Sequence, residues 1–256
     1  MQSLLGSARG VVTFTESHFF DKCFGSLYFP FRTDADPDCV EATLRRFRQE
    51  NALEGFGTEL GMPADSNSAA ESFIRLLDRV TAANSGVGWV EKTPDHLHKI
   101  GLIRRVAPDA TFVHILRRPA ETVDSLRRAS REWGRPRSWY AFALKWSLSA
   151  RTSGRYVRKP GHVHVFYEDI VTNTQAEIKA LFERVGLEWD EGVLDRYLNT
   201  ANSAIAADES WKKNNLREIE FQSEGPISHG PLQNVLLRLL ETQYETVRSS
   251  AAKKPQ

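Results

Sequence analysis

Charged residues stand just after several short apolar runs of this sequence. Arg117 follows "TFVHIL", Lys92 follows "VGWVE", and Glu16 follows "VVTF". A guanidinium can bind a phosphate through two parallel hydrogen bonds, and a lysine can neutralise charge on a group being transferred. A glutamate next to apolar side chains can act as a general base, because desolvation raises its pKa. The three positions are therefore candidates for anion binding and proton transfer.

Each candidate also has a simpler structural explanation. Arg117 could be a structural arginine that pairs with Glu121 or Asp124. Lys92 could be an ordinary surface lysine, and Glu16 could complement the dipole of a following helix. Considered one at a time, these residues leave both interpretations open.

The segment after Arg117 favours an anion site. Pro119 suits the first turn of a helix, where free backbone N–H groups also attract an anion. Ser125 follows about two turns into that helix. Its hydroxyl could meet the same anion as Arg117 if the helix packs back over the end of the strand.

Short apolar strands alternate with amphipathic helices along the chain. Strands are predicted at 11–14, 87–91, 111–116 and 162–167, and a last amphipathic helix at 230–248. This order predicts a three-layer α/β fold, in which helices flank a parallel sheet. Ligands of such sheets bind beyond the carboxyl ends of the strands. We expect a single domain over residues 1–256, with a frayed tail at 250–256.

Composition argues against several classes of function. The formal net charge of +1 provides no overall field that would favour nucleic acid or an anionic membrane surface. No apolar run is long enough to span a bilayer, and the first residues lack the apolar core of a signal peptide. The two cysteines indicate neither a disulfide framework nor a metal site, so a cytoplasmic location is the simplest expectation.

Two further patterns have ordinary explanations. His162 and His164 could form a metal pair on one strand face, but an amphipathic strand explains them more simply. The arginines within 127–137 could contact RNA or an acidic glycan, but a solvated helix face explains them better. We therefore expect no metal and no nucleic-acid partner.

Together, the segments resemble the sulfotransferase superfamily that uses 3′-phosphoadenosine-5′-phosphosulfate (PAPS). The similar segments are "FTESHFF", "EKTPDHLHKIGLIRRVAPDATFVHILRRPAETVDSL", "SWYAFALKW" and "HVHVFYEDI", and they occur in the family's order. The resemblance extends from about residue 1 to about residue 215. It implies the sulfotransferase fold, which is related to that of P-loop nucleotide-binding proteins.

The resemblance implies roles for individual residues. Glu16 would deprotonate the acceptor hydroxyl, and Lys92 would stabilise charge around the sulfuryl group. Arg117 and Ser125 would hold the 3′-phosphate of the nucleotide, and Tyr167 would lie near the adenine. A weaker match adds two further nucleotide contacts, Trp211 and Lys212. The acceptor pocket is expected to involve His18, Phe19 and His96, and segment 30–85 is expected to form that pocket or a lid.

The implied reaction moves a sulfuryl group from PAPS to a hydroxyl of a small molecule or glycan, leaves adenosine 3′,5′-bisphosphate, and requires no metal.

The family's first strand and phosphate loop should precede the helix that "QSLLGSA" resembles, and the chain begins at Met1 within that helix. We therefore expect a misassigned or trimmed start. If the chain is instead the whole protein, we expect the 3′-phosphate site to survive and catalysis to be impaired. A non-catalytic nucleotide-binding relative is the alternative. A nucleotide kinase is a weaker one, because no Walker lysine motif is found.

Overall fold

The computed structural model describes residues 1–25, 34–56, 65–197 and 228–252. The chain divides into two compact units. Unit 1 comprises the described residues up to Ala110 together with 186–197, and unit 2 comprises Thr111–Val185 together with 228–252.

Unit 1 contains a pair of short parallel strands. Strand β1 (Val11–Thr13) pairs with β2 (Gly88–Val90), with Val12 opposite Trp89. Helices precede, connect and follow these strands: α1 (Gln2–Leu5), α2 (Phe19–Cys23), α3 (Pro37–Glu50), α4 (Ser66–Ala83), a 3-10 helix (Pro94–Lys99) and α5 (Ile100–Val106). A parallel pair requires such a crossover connection, which α2, α3 and α4 provide here.

Local sequence explains where the two long helices of unit 1 begin. The Asp36 carboxylate accepts hydrogen bonds from the backbone N–H groups of Asp38 and Cys39 at the start of α3. Asp65 and Ser68 form a reciprocal capping box at the start of α4. Both helices bury apolar residues that recur at helical spacing, which include Val40, Leu44, Phe47, Phe73, Leu76, Leu77 and Val80.

Unit 2 contains the second parallel pair. Strand β3 (Phe112–Leu116) pairs with β4 (His162–Phe166), and His114 lies opposite His164. The helices are α6 (Pro119–Glu132), α7 (Trp139–Gly154), α8 (Tyr167–Thr172), α9 (Thr174–Val185) and α10 (Pro231–Ala252). A buried cluster joins the strand ends to α6, α7 and α10, and includes Leu116, Val123, Trp139, Phe142, Trp146, Phe166 and Tyr244.

The predicted alternation of parallel strands and helices is confirmed, with two differences. The described strands form two separate two-stranded sheets, so they are not hydrogen-bonded as the single sheet that we expected. The final helix continues to Ala252, two residues beyond the start of the tail that we expected to be frayed. It continues because Val247 and Ala251 still pack against the buried cluster of unit 2.

Two searches of the described part of the chain gave negative results. None of its helices combines the length and the apolar composition needed to cross a membrane. Within the same residues, no group of three or more His, Cys, Asp or Glu side chains is arranged to hold a metal ion.

Candidate functional site

Glu16 and Lys92 meet in unit 1 because the strands that precede them are neighbours. Since β1 and β2 are parallel, the segments that follow them leave from the same edge of the sheet. The Lys92 ammonium group forms an ion pair with Glu16 Oε1, and His18 Nε2 lies 3.5 Å from Glu16 Oε2. The Glu16 side chain is 13% exposed and that of Lys92 is 40% exposed. A proton acceptor and a cation are thus adjacent, and solvent reaches both.

The backbone that carries Glu16 is held by helix α3. Arg46 donates hydrogen bonds to the carbonyl oxygens of Glu16 (3.4 Å) and Ser17 (2.7 Å). Asn51, just after the same helix, accepts a hydrogen bond from the Thr15 N–H at 2.9 Å. These contacts fix the segment after β1 and therefore the origin of the Glu16 side chain.

Glu91, immediately before Lys92, forms a buried hub of hydrogen bonds. Its Oε1 accepts from the Ser17 N–H (3.1 Å), the Ser17 hydroxyl (2.7 Å) and the Thr93 hydroxyl (2.7 Å). Its Oε2 lies 3.0 Å from His96 Nδ1. Burial opposes ionisation, but the charge of His96 and these hydrogen bonds lower the pKa of Glu91 to about 2. The hub links the segment after β1 to the segment after β2.

His96 lies between two carboxylates of the same unit. Nε2 is 3.5 Å from Asp21 Oδ1, and Nδ1 is the atom that faces Glu91. Burial alone would lower the pKa of His96, but the charge of Glu91 and the contacts with Asp21 raise it to about 9. The Phe20 backbone N–H also points at Nε2 (3.1 Å), a contact that needs the neutral ring. Two carboxylates outweigh one amide, so the protonated ring is favoured at neutral pH.

His18 is the more accessible histidine of this group. It precedes α2 in the left-handed region, with φ = 52°, and its Nδ1 lies 3.2 Å from Asp21 Oδ2. Burial disfavours ionised Asp21, yet hydrogen bonds from His18 and His96 lower the pKa of that carboxyl group well below its usual value. The His18 side chain is 30% exposed, which leaves it open to an acceptor molecule.

Phe19 and His96 do not line an open pocket as we expected. Phe19 is completely buried and stacks on Phe73 with ring centroids 4.4 Å apart. His96 is 8% exposed and is engaged by the carboxylates described above. Both therefore support the site from within unit 1, because neither presents enough surface to touch a substrate.

Arg117 and Tyr167 meet in unit 2 at the ends of β3 and β4. The Arg117 guanidinium lies over the Tyr167 ring, 4.5 Å from its centroid. The backbone oxygen of Arg117 accepts a hydrogen bond from Trp146 Nε1 at 3.1 Å. In the part of the chain that the structure describes, this guanidinium has no carboxylate partner. It is therefore held by an aromatic ring and remains available to an anion.

The residues after Tyr167 secure this corner of unit 2. Glu168 accepts hydrogen bonds from the Arg118 N–H (2.8 Å) and the Tyr244 hydroxyl (2.5 Å). Asp169 forms an ion pair with Arg248 on α10. The start of α6 is thereby tied to α8 and α10, which fixes the direction in which Arg117 leaves β3.

Asp124 is occupied by partners other than Arg117. Its carboxylate accepts from Trp139 Nε1 (3.1 Å) and lies 3.0 Å from His229 Nε2. Ser125, the next residue on α6, is partly exposed. The structural explanation in which Asp124 or Glu121 neutralises Arg117 is not what the described residues show. Trp211 and Lys212 lie outside the described residues.

The histidines of β4 belong to an aromatic stack. His114 and His164 stack face to face with centroids 4.4 Å apart, and His114 Nε2 lies 2.9 Å from His162 Nδ1. His164 Nε2 donates to the Ser153 carbonyl oxygen. Burial and the neighbouring histidines lower the pKa of His114 to about 3, and burial lowers that of His164.

Sequence reasoning missed several supporting residues. Asp21, Glu91 and Glu168 each bridge elements far apart in the chain, and no local pattern reveals such a bridge. Glu91 and Glu168 had a signal, because they belong to the "EKTP" and "YED" segments that resemble those of the family.

Comparison with known proteins identifies the class to which this fold and site belong. A model of the sulfotransferase family matches residues 1–191. The sulfotransferase domain of the Synechococcus PCC 7002 olefin synthase is similar in structure, with a TM-score of 0.60 and 16% identity, covering 99% of this chain and 90% of that one. A sulfotransferase domain from the curacin biosynthetic pathway has a TM-score of 0.53 and 12% identity, covering 95% and 92%. No curated protein matches significantly.

The chain therefore belongs to the sulfotransferase family, and its fold is that of sulfotransferase domains.

Proposed function

We propose that this protein transfers the sulfuryl group of PAPS to a hydroxyl of a small molecule or glycan. The observation that carries the proposal is the Glu16–Lys92 pair, which places a carboxylate and a cation side by side at one strand edge of a sulfotransferase-family fold. A domain that only bound a nucleotide would have less need of a general base next to a cation.

In the proposed reaction, Glu16 accepts the proton of the acceptor hydroxyl. The acceptor oxygen then forms a bond to sulfur while the bond between sulfur and the leaving phosphate oxygen breaks, giving a sulfate ester and adenosine 3′,5′-bisphosphate. Lys92 stabilises the charge on the sulfuryl oxygens. These oxygens compete with the Glu16 carboxylate for the Lys92 ammonium group. His18 lies beside Glu16 and contributes to binding of the acceptor.

Unit 2 is proposed to bind the nucleotide. Arg117 stacks on Tyr167 and has no carboxylate partner among the described residues. It is therefore suited to bind a phosphate group, which would neutralise its charge. Ser125 would donate its hydroxyl to the same 3′-phosphate, and Tyr167 would contact the adenine. Trp211 and Lys212 are proposed as further contacts.

A small hydroxyl compound is the proposed acceptor class. The two similar domains come from an olefin synthase and a biosynthetic pathway, which supports a metabolite more than a protein as acceptor. Segment 30–85 is proposed to contribute to the acceptor pocket, and the whole chain is proposed to act as one domain in the cytoplasm.

Calorimetric titration tests the nucleotide half of the proposal. Adenosine 3′,5′-bisphosphate should bind with micromolar affinity, and adenosine 5′-monophosphate should bind at least about tenfold more weakly, because it lacks the 3′-phosphate held by Arg117 and Ser125. Equal affinities for the two nucleotides would contradict the proposal that Arg117 and Ser125 bind the 3′-phosphate.

A transfer assay tests the catalytic half. Incubation with PAPS and a panel of hydroxyl compounds should release adenosine 3′,5′-bisphosphate with a matching sulfate ester detected by mass spectrometry. Micromolar nucleotide binding without transfer to any acceptor would favour the alternative, a non-catalytic nucleotide-binding relative.

A further inference from the structure

The two cysteines of the chain lie side by side although they are sixteen positions apart in sequence. Cys23 is the last residue of α2, and Cys39 lies in the first turn of α3. Their sulfur atoms are 3.1 Å apart, and both thiols are free. Non-bonded heavy atoms usually sit about 3.5–4 Å apart, whereas a disulfide bond is about 2.05 Å long. The pair is thus within about 1 Å of bonding distance.

The surrounding contacts hold both cysteines in place. The Asp36 N–H donates to the Cys23 carbonyl oxygen at 3.1 Å, and the Asp36 carboxylate caps the turn that carries Cys39. Thr43 Oγ1 lies 3.5 Å from Cys23 Sγ and 3.8 Å from Cys39 Sγ. Because the end of α2 and the start of α3 are already joined, bond formation needs only a small movement of side chains.

The two thiols differ in accessibility. Cys23 is 1% exposed, and burial raises the pKa of its thiol to about 12. Cys39 is partly exposed at the start of its helix. A reagent in solution therefore reaches Cys39 first, and Cys23 is shielded from everything except its neighbour.

We propose that Cys23 and Cys39 form a redox-modification site that closes to an intramolecular disulfide by exchange with a low-molecular-weight disulfide such as oxidised glutathione. The Cys39 thiolate attacks one glutathione sulfur, which forms a mixed disulfide and releases one glutathione thiolate. Cys23 then attacks the Cys39 sulfur, and its proton passes to the departing glutathione sulfur, which is released as the second glutathione. The protein loses two electrons and two protons, and one oxidised glutathione is reduced to two thiols.

The crosslink would act on the segment that carries Glu16. It would join the end of α2 to α3. His18 immediately precedes α2, and Arg46 of α3 donates hydrogen bonds to the Glu16 and Ser17 carbonyl oxygens. A disulfide that closes a loop of this length restricts the unfolded chain, so the oxidised protein should melt several degrees higher than the reduced protein.

The test is incubation of the folded full chain with glutathione buffers of increasing oxidised fraction, followed by acid trapping, intact-mass measurement and peptide mapping. The expected result is a monomer lighter by two hydrogen atoms, with Cys23 and Cys39 peptides joined, a raised melting temperature, and reversal by dithiothreitol. No sulfuryl-transfer assay is involved, so failure here leaves the proposed function untouched.

Two variants make the outcome decisive. Cys23→Ser should stop at the mixed disulfide on Cys39, and Cys39→Ser should leave Cys23 unmodified because it is buried. In the wild-type protein, a persistent glutathione adduct on Cys39, a disulfide-linked dimer, or no reaction would each overturn the proposal.

Discussion

The two units place their candidate residues in opposite electrostatic settings. In unit 1, Glu16 and Lys92 pair with each other, and Glu91, His96 and Asp21 form a network that alternates in charge. In unit 2, Arg117 rests on an aromatic ring and has no carboxylate partner among the described residues. The first arrangement holds a proton acceptor in a fixed position, whereas the second leaves a positive charge for a ligand to neutralise.

The contrast extends to the histidines. His96 of unit 1 lies between carboxylates that raise its pKa, and His114 of unit 2 lies against other histidines in a buried stack that lowers its pKa. The pKa values of two chemically identical side chains are thus shifted in opposite directions. The neighbours, rather than the residue type, decide which form of the ring stabilises the fold.

The largest expected effect separates chemistry from binding. Glu16→Gln should lower turnover about 100- to 10,000-fold, because the amide cannot accept the hydroxyl proton, while nucleotide affinity changes less than about twofold. Glu183→Gln removes an exposed carboxylate on α9 and should leave both unchanged. Steady-state kinetics and calorimetry measure the two quantities. If Glu16→Gln lost turnover and nucleotide affinity to the same extent, the proposed division between catalysis in unit 1 and nucleotide binding in unit 2 would be wrong.

The next effect tests the anion site of unit 2. Arg117→Ala should weaken adenosine 3′,5′-bisphosphate binding about 10- to 100-fold, the usual cost of losing charged hydrogen bonds to phosphate. The free energy of unfolding should change by less than about 1 kcal/mol, because only the contact with Tyr167 is lost. Arg131→Ala removes an exposed arginine near the end of α6, the helix that follows Arg117, and serves as the control. Unchanged binding in Arg117→Ala would refute the assignment.

A third prediction concerns alkaline pH and unit 1. The raised pKa of His96 means that its stabilising contribution is complete below its ordinary pKa of about 6.5 and is lost as pH rises through about 9. The free energy of unfolding should fall by about 1–3 kcal/mol over this range in the wild-type protein. In His96→Gln, which keeps a neutral donor for Glu91, denaturant titrations should show a flatter profile. Identical slopes would mean that His96 is not charged.

The smallest effect concerns mild acid and unit 2. Because the pKa of His114 is lowered, the unfolded chain takes up a proton near pH 6.5 that the folded chain does not. The free energy of unfolding should therefore fall by about 1 kcal/mol between pH 6.5 and 5.5. His114→Phe keeps an aromatic ring in the stack and should reduce this loss. An equal loss in the variant would place its origin elsewhere.

Local sequence was sufficient to predict most elements and the residues that end the strands. Helices α3 and α4 follow from their caps and apolar periodicity, which depend only on nearby residues. The positions of Glu16, Lys92 and Arg117 after short apolar runs also predicted which side chains would lie at sheet edges. Periodicity could not show that the described strands pair two by two, because strand pairing joins residues far apart in the chain.

The sequence by itself thus determined which residue types stand at the strand ends and, through its resemblance to sulfotransferases, the family to which the chain belongs. Only the tertiary structure decided their partners: Glu16 with Lys92, Arg117 with Tyr167, and Cys23 with Cys39. The same holds for Phe19, whose predicted place in the acceptor pocket gave way to a buried aromatic cluster. The physical reason is that burial and charge pairing depend on distances in space, and residues in contact here can be more than 100 positions apart in sequence, as Asp124 and His229 are.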